Sequence, residues 1–351
     1  MKKLLLATAV ATLCVSTAQA APTLYGKLNV TLDQVSKVDY TDNNQTEVNS
    51  NASRIGVKGE EKLTDNLSAV YLAEWEIATD SGDSDLKARN RFLGLKFANI
   101  GTLKAGFFDT YFKNAAGGNQ DIFNDHNRLD ITKNIYGEDR AKNALGFETD
   151  KKLLGGLQFN IQLAQGESAT ADEAGTTGDN SKRNGFGDSI STSLIYDNKD
   201  LGLVLGLAGN FNVPGKYNAH SLSGIYSDAY RITGSYDFAN LGAKGLVLGA
   251  LWQQAEPKDD LAANPDLEEQ AFTVTAAYAV PSTPWKVKAE YVSAETTVQN
   301  KADRNFDQYG VGVDYNLNKQ TRFYGVLAQQ KRDWKTEDKQ TTFGLGLEYN
   351  F

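Results

Sequence analysis

Asp121 and Asp125 stand four residues apart in a long irregular stretch, Asp109 to Asp139. One helical turn between them would bring both carboxylates to one face. Acid or base chemistry would need an activated base or nucleophile beside them, usually histidine. The two histidines, His126 and His220, fall in different connecting stretches, and no Gly-x-Ser-x-Gly occurs. No cluster of ligating side chains suggests a metal, and nothing calls for a cofactor. His126 reads as a solvated loop residue. The two aspartates are left with setting a local field, or with being solvated on an external loop.

The elements around that stretch are strands. Thr342 to Phe351 alternates without a break: Phe343, Leu345, Leu347, Tyr349 and Phe351 on one face, Thr342, Gly344, Gly346, Glu348 and Asn350 on the other. A period of two marks a strand with one apolar and one polar face. Thr23 to Asp33 repeats it, with Leu24, Leu28, Val30 and Leu32 opposite Tyr25, Lys27, Asn29, Thr31 and Asp33. So do Ser53 to Glu60, with Arg54 on the polar face, and Leu67 to Ile77. Later examples surround Phe159, Leu194, Val274, Val287 and Val311. Short connections such as Pro281 to Pro284 and Asn316 to Lys319 alternate with long polar ones such as Gln34 to Asn51, Gly166 to Asn184 and Ala255 to Glu268.

The first twenty residues read as an export signal. Lys2 and Lys3 precede the apolar run Leu4 to Val15, and Ala18-Gln19-Ala20 is a small-residue cleavage site. The run is too short to cross a bilayer as a helix. It holds the chain's one cysteine, Cys14, so residues 21–351 have no disulfide or thiolate site. The net charge of −8 disfavours nucleic acid as a partner. Mean hydropathy is −0.45, which excludes a helical membrane protein. It does not exclude a barrel, where only alternate side chains touch lipid.

Sixteen such strands fit residues 21–351 at about 21 residues per strand and connection, leaving ~10 for a tilted membrane strand. The expected fold is all-β, a 16-stranded antiparallel transmembrane barrel of the bacterial outer membrane. Sixteen strands enclose an aqueous channel rather than a filled interior. The inward Lys, Arg, Glu, Asn, Gln, Ser and Thr would have to be hydrated. A wide tube needs a constriction to select, and residues 109–139 are the candidate.

The chain also resembles the general porins of Gram-negative bacteria, the enteric and neisserial trimeric porins. The resemblance rests on Leu24-Tyr25-Gly26-Lys27, on Ser53-Arg54-Ile55-Gly56-Val57-Lys58-Gly59-Glu60 and on Arg89-Asn90-Arg91-Phe92-Leu93-Gly94-Leu95-Lys96. Ile100-Gly101-Thr102-Leu103 and the terminal Tyr349-Asn350-Phe351 complete it. It implies a third long loop folded into the barrel. It implies that Asp121 and Asp125 are the loop carboxylates and that Lys27, Arg54, Arg89 and Arg140 form a basic ladder opposite them. It implies a homotrimer and a terminal Phe351 read by the outer-membrane assembly machinery. The enteric loop carries Pro-Glu-Phe-Gly-Gly, whereas this chain has Asn124-Asp125-His126-Asn127.

Three of the four ladder positions agree with the alternation; Arg140 shares a face with Lys142, Gly146 and Glu148. Arg89 falls with Arg91, Leu93 and Leu95. Both arginines are placed inward, because an arginine facing lipid at midplane costs about 2–4 kcal/mol. Arg231, Lys286 and Lys288 also face inward and read as ordinary lumen residues. The function expected is passive diffusion of ions and small hydrophilic solutes, with a substrate-preferring, anion-selective channel as the alternative. An outer-membrane enzyme and a surface receptor are the other classes considered.

Overall fold

The computed structural model describes residues 21–82, 86–137, 139–165 and 185–351. Residues 1–20, read above as an export signal, and the Gly166 to Asn184 connection lie outside the described residues. One sheet closes on itself, and every pairing in it is antiparallel. Its strands are β1 (Thr23–Ser36), β2 (Gln45–Ser50 continued by Arg54–Thr64), β3 (Leu67–Glu76), β4 (Lys87–Phe97), β5 (Gly101–Asp109), β6 (Arg140–Thr149), β7 (Leu157–Ala164) and β8 (Ser189–Asn198). They continue as β9 (Leu203–Tyr217), β10 (Leu222–Asp237), β11 (Leu246–Pro257), β12 (Glu268–Ala279), β13 (Trp285–Thr297), β14 (Arg304–Asn316), β15 (Thr321–Arg332) and β16 (Lys339–Asn350). Each pairs with its neighbours in sequence, and β16 pairs with β1 from Lys27↔Asn350 to Ser36↔Thr341. The 16-stranded antiparallel barrel expected from the alternation is the fold observed.

β2 differs from the expectation. Gln34 to Asn51 is not simply a loop. β1 runs on to Ser36, and Gln45–Ser50 pairs with it from Val35↔Gln45 to Val30↔Ser50. Residues 51–53 interrupt the strand, with Ala52 at φ 49°. Pairing then resumes from Lys27↔Arg54. Val48 points out and is exposed, so the period of two persists. Its polar neighbours Gln45, Glu47 and Asn49 disguise it.

The two faces are sorted by chemistry, as lipid outside and water inside require. Leu205, Leu207, Val311 and Leu345 are exposed on the outside, whereas Thr31, Asp33, Ser227, Gln308 and Thr342 are buried on the inside. In a closed sheet no strand edge is left unpaired.

The terminal residue takes part in that closure. Gly26 donates its N–H to the Phe351 carbonyl at 2.9 Å, and Phe351 donates back at 3.0 Å. The Phe351 ring covers Gly26 so closely that a Cβ there would lie 2.3 Å from it. A Cβ on Gly325 would meet nothing nearer than 3.6 Å. Gly26→Val should therefore cost ~1–3 kcal/mol through overpacking at the seam. It should lower the temperature at which the folded band is lost in SDS gels, and Gly325→Val should not. Equal melting of the two variants would contradict this packing.

Candidate functional site

The connection between β5 and β6 folds back against the inner wall. Thr110 caps a short helix, α1 (Tyr111–Asn114), accepting from the Lys113 N–H at 3.2 Å. A second, α2 (Gly117–Gln120), follows, then a 3₁₀ turn at Ile131–Lys133. This backbone has no sheet to satisfy it, so the polar lumen faces of distant strands do so.

Phe112 N–H donates to Ser191 Oγ of β8 at 3.1 Å. Thr233 of β10 donates to the Ala115 carbonyl at 3.0 Å, and Thr275 of β12 donates to that of Asn119. Ile122 N–H donates to Glu290 of β13 at 3.2 Å. Gln308 of β14 and Gln330 of β15 donate to the carbonyls of Leu129 and Arg128, each at 2.8 Å. The connection thus runs along the inside from β8 to β15, and Asn127 and Arg128 extend it to Asn51, Asn49 and Glu47 at the start of β2.

Arg231 of β10 is the deepest anchor, 1% exposed. Its guanidinium donates to the Phe112 carbonyl at 3.0 Å, to the Tyr136 carbonyl at 3.4 Å and to Gln253 Oε1, and it lies 4.2 Å from the Phe112 ring centroid. One side chain so ties both ends of the connection. Face alternation placed Arg231 inward, but nothing local in the sequence marks it as an anchor.

Asp121 and Asp125 do not share a helical turn. Asp121 follows the end of α2 at φ −131°, and Asp125 sits at φ 69° in the turn beyond. Asp121 accepts from Asn124 Nδ2 at 2.9 Å. The Asp125 carboxylate bridges Lys27 of β1 and Arg54 of β2. His126 is not solvated. It is 3% exposed, its Nδ1 accepts from the Arg128 N–H at 3.3 Å, and its Nε2 lies 3.7 Å from Asp33.

The other two ladder positions pair with wall residues. Arg89 Nε meets Glu74 at 2.6 Å, with Glu76 at 3.5 Å. Arg140 meets Asp109 at 3.2 Å and Asn90 at 3.0 Å, and Lys113 joins Asp109 at 3.0 Å. Glu74 and Glu76 share one face of β3, and their pairing with Arg89 follows from the register of β3 and β4.

Two expectations on facing need correction. The β3–β4 register slips between Ala73 and Trp75, so Arg89 and Asn90 both turn inward while Arg91 stays out with Leu93 and Leu95. On β6 the register slips between Gly106 and Phe108, with Asn143 at φ 49°. Ala141 and Ala144 are both buried in the inner cluster, so Lys142 does not continue the face of Gly146 and Glu148, while Arg140 is held on the lumen side by Asp109 and Asn90. A bulge shifts parity by one, which alternation alone cannot foresee.

From Asp125 a chain of alternating charge follows the wall. Lys27 is 3.9 Å from Glu348, Glu348 is 2.7 Å from Arg322, Arg322 is 3.2 Å from Asp314, and Asp314 is 3.1 Å from Lys288. Lys288 donates to the Ile122 carbonyl at 3.2 Å, so both ends of the loop tip are held. A cavity of about 250 Å³ beneath the tip is lined by Asp121, Asp125, Lys286, Lys288 and Arg322 among others.

Burial works against the charge on Asp125, but Lys27 and Arg54 outweigh it and hold its pKa below the ordinary 3.8. A carboxylate with a lowered pKa contributes its stabilisation above the unfolded value and loses it as pH falls through the folded one. The bridge should therefore hold from neutral pH down to about pH 4 and open only below that. Conductance and ion preference should be flat over that range in bilayer recordings. A titration centred near pH 6 would contradict this.

The description "Gram-negative porin" belongs to the family model that matches residues 7–336. The major outer membrane protein P.IB of Neisseria lactamica is 27% identical over 360 residues, covering 98% of this chain and 99% of its own. Among solved structures, the anion-selective porin from Comamonas acidovorans superposes with a TM-score of 0.70 at 22% identity, over 95% of this chain and all of that one. The trimer form of OmpT from Vibrio cholerae gives 0.65 at 17% identity, over 95% and 100%.

Proposed function

This chain belongs to the Gram-negative porin family, and on that premise we propose how its channel is narrowed and lined. It is an outer-membrane porin, a barrel through which ions and small hydrophilic solutes diffuse. Its relatives are channel proteins rather than enzymes. In the proposal, residues 109–139 are the constriction. They fill the side of the lumen next to β8–β15 and leave the passage along β2–β5. The observation that carries this reading is the set of hydrogen bonds from the connection to inward side chains of β8, β10, β12, β13, β14 and β15.

The passage is then lined by Lys27, Arg54, Arg89 and Arg140, with Asp125 on the loop side. Asp121 is set back in the cavity under the tip. A narrow opening with low-dielectric walls focuses the field of such charges. Polar solutes align in that field, while apolar ones lose hydration without compensation.

An anion preference is the second reading. Lys58, over the Tyr25 ring at 4.8 Å, and Lys113 add to the ladder, while Glu74, Glu76, Asp109 and Asp125 oppose it. Cations outnumber carboxylates on this wall, and the Comamonas acidovorans structure is described as an anion-selective porin.

The reading also includes removal of residues 1–20 on export, assembly as a trimer through the outer faces of β1–β3, where Ala69 and Ala73 are small, and recognition of Phe351 by the assembly machinery. The trimer form recorded for OmpT of Vibrio cholerae supports the second of these. The test is planar-bilayer recording of the purified protein under a salt gradient. Conductance steps in threes, with a reversal potential on the anion side, are expected. A folded, heat-modifiable protein that carries no current would overturn the reading.

A further inference from the structure

Three inward side chains on the wall beside the ladder are apolar, which the polar lumen of a water-filled barrel does not call for. Val70 and Leu72 alternate with the outward Ala69, Tyr71 and Ala73 on β3, so they share the inner face of Glu74. Leu72 pairs with Lys58 of β2 on one side and with Phe92 of β4 on the other. All three are half-buried, and Phe92 packs against the inner cluster that holds Phe108 and Tyr111. Gly94, opposite Val70, carries no side chain, so the strip is recessed there. It lies on the short-connection side of Arg54 and Arg89.

Cations border the strip. Lys58 is exposed, and its ammonium lies 4.8 Å from the centroid of the Tyr25 ring. That ring crosses Gly56, where a Cβ would come within 2.7 Å of it, and its hydroxyl donates to Glu74 at 2.9 Å. Glu60, the next residue on the inner face of β2, is held by Lys96 at 2.8 Å. Among the described residues Lys58 has no ion-pair partner. On the far side, Lys104 lies 5.0 Å from the Phe92 ring centroid, but its charge is taken by Glu148. Opposed residues of adjacent antiparallel strands have Cβ atoms about 5 Å apart. A guest reaching from Lys58 to Phe92 therefore spans about 10 Å and lies across Leu72.

We propose that this strip is a binding seat for small monocarboxylates that carry an apolar group, aromatic or branched. The carboxylate meets the Lys58 ammonium, the apolar group covers Leu72 and Val70, and Tyr25 and Phe92 close its two sides. The chemistry selects this class, because a small-molecule seat combines an apolar surface with a few placed polar groups. A fully polar anion meets the cation but gains nothing from the strip. A neutral apolar solute meets the strip but has no charge for Lys58. One cation is free here, so one carboxylate is matched. The inference rests on the passage running along β2–β5.

The test records the purified full-length protein in planar bilayers in potassium chloride, with benzoate, gluconate and benzamide as probes. Benzoate has both the charge and the apolar face, gluconate only the charge, and benzamide only the face. Benzoate that dwells on the strip retards chloride, so it should reduce the current in a saturable way. Removing about 40 Å² of ring face from water makes its half-saturation roughly fivefold tighter than that of gluconate. Leu72→Gln should lose that advantage, whereas Leu72→Ile should keep it. Lys58→Gln should weaken benzoate and gluconate alike, each current being scaled to the same variant without probe. Equal block by benzoate and gluconate would overturn the proposal, as would undiminished benzoate block in a folded Leu72→Gln barrel or equal block by benzamide. Lys58→Cys separates the seat from the passage. If a charged methanethiosulfonate lowers its conductance while benzoate and gluconate act alike on the wild type, the passage stands and the seat falls. A silent Lys58→Cys removes the passage from this wall, and the seat with it.

Discussion

Asp125→Asn will move the reversal potential towards anions, and it will do so far more than Asp121→Asn. Asp125 is the carboxylate that stands between Lys27 and Arg54. Neutralising it leaves two cations side by side, 11% and 18% exposed, with no charge between them. For an ion passing at about 7 Å through a medium of effective dielectric near 40, one unit charge is worth about 1 kcal/mol, roughly fivefold in permeability ratio. Asp121 instead accepts from Asn124 within its own turn, so its amide should change the ratio by less than twofold. The bridge also fixes the loop tip to β1 and β2. The variant should therefore gate more noisily and lose its folded SDS band at lower temperature. Equal shifts from the two variants, or none from Asp125→Asn, would remove Asp125 from the passage.

Arg231→Ala is the second large effect. The side chain is 1% exposed and satisfies the carbonyls of Phe112 and Tyr136 together with Gln253. Deleting it strands buried acceptors, each at a cost of ~1–3 kcal/mol. The barrel's own ladder is untouched, so the loss falls on the connection between β5 and β6. Mean conductance should rise, flicker should appear, and larger sugars should enter in liposome swelling. Arg231→Lys keeps the charge but loses the planar fork, so it should fall between wild type and alanine. Unchanged conductance from a folded Arg231→Ala barrel would mean that the other hydrogen bonds hold the connection alone.

Much of this architecture was legible in the sequence because the signal is local. Alternation of Thr342 to Phe351 or of Thr23 to Asp33 tells each strand which face meets lipid. Short and long connections then order the strands into a barrel. What escaped depends on register between distant strands. Gln45–Ser50 was hidden by its polar residues, although Val48 keeps the period. Arg91 and Lys142 were misplaced because each lies beside a one-residue slip. Asp121 and Asp125 were read as a helical pair, but Asp121 lies past the end of α2 and Asp125 itself takes the left-handed conformation. Arg231 looks like any other lumen arginine until the fold brings Phe112 and Tyr136 to it. Polar lumen side chains that anchor a loop and those that only meet water have the same composition.

The central claim is that the connection covers β8–β15 and leaves the passage along β2–β5. It can be tested by single-cysteine access, since residues 21–351 contain no cysteine of their own. Arg89→Cys and Thr275→Cys would be treated with a charged methanethiosulfonate during bilayer recording. Thr275 lies beneath the Asn119 carbonyl and is 3% exposed. The account predicts rapid stepwise loss of conductance at Arg89→Cys and none at Thr275→Cys. Block at Thr275→Cys with Arg89→Cys silent would place the passage on the opposite wall and contradict it.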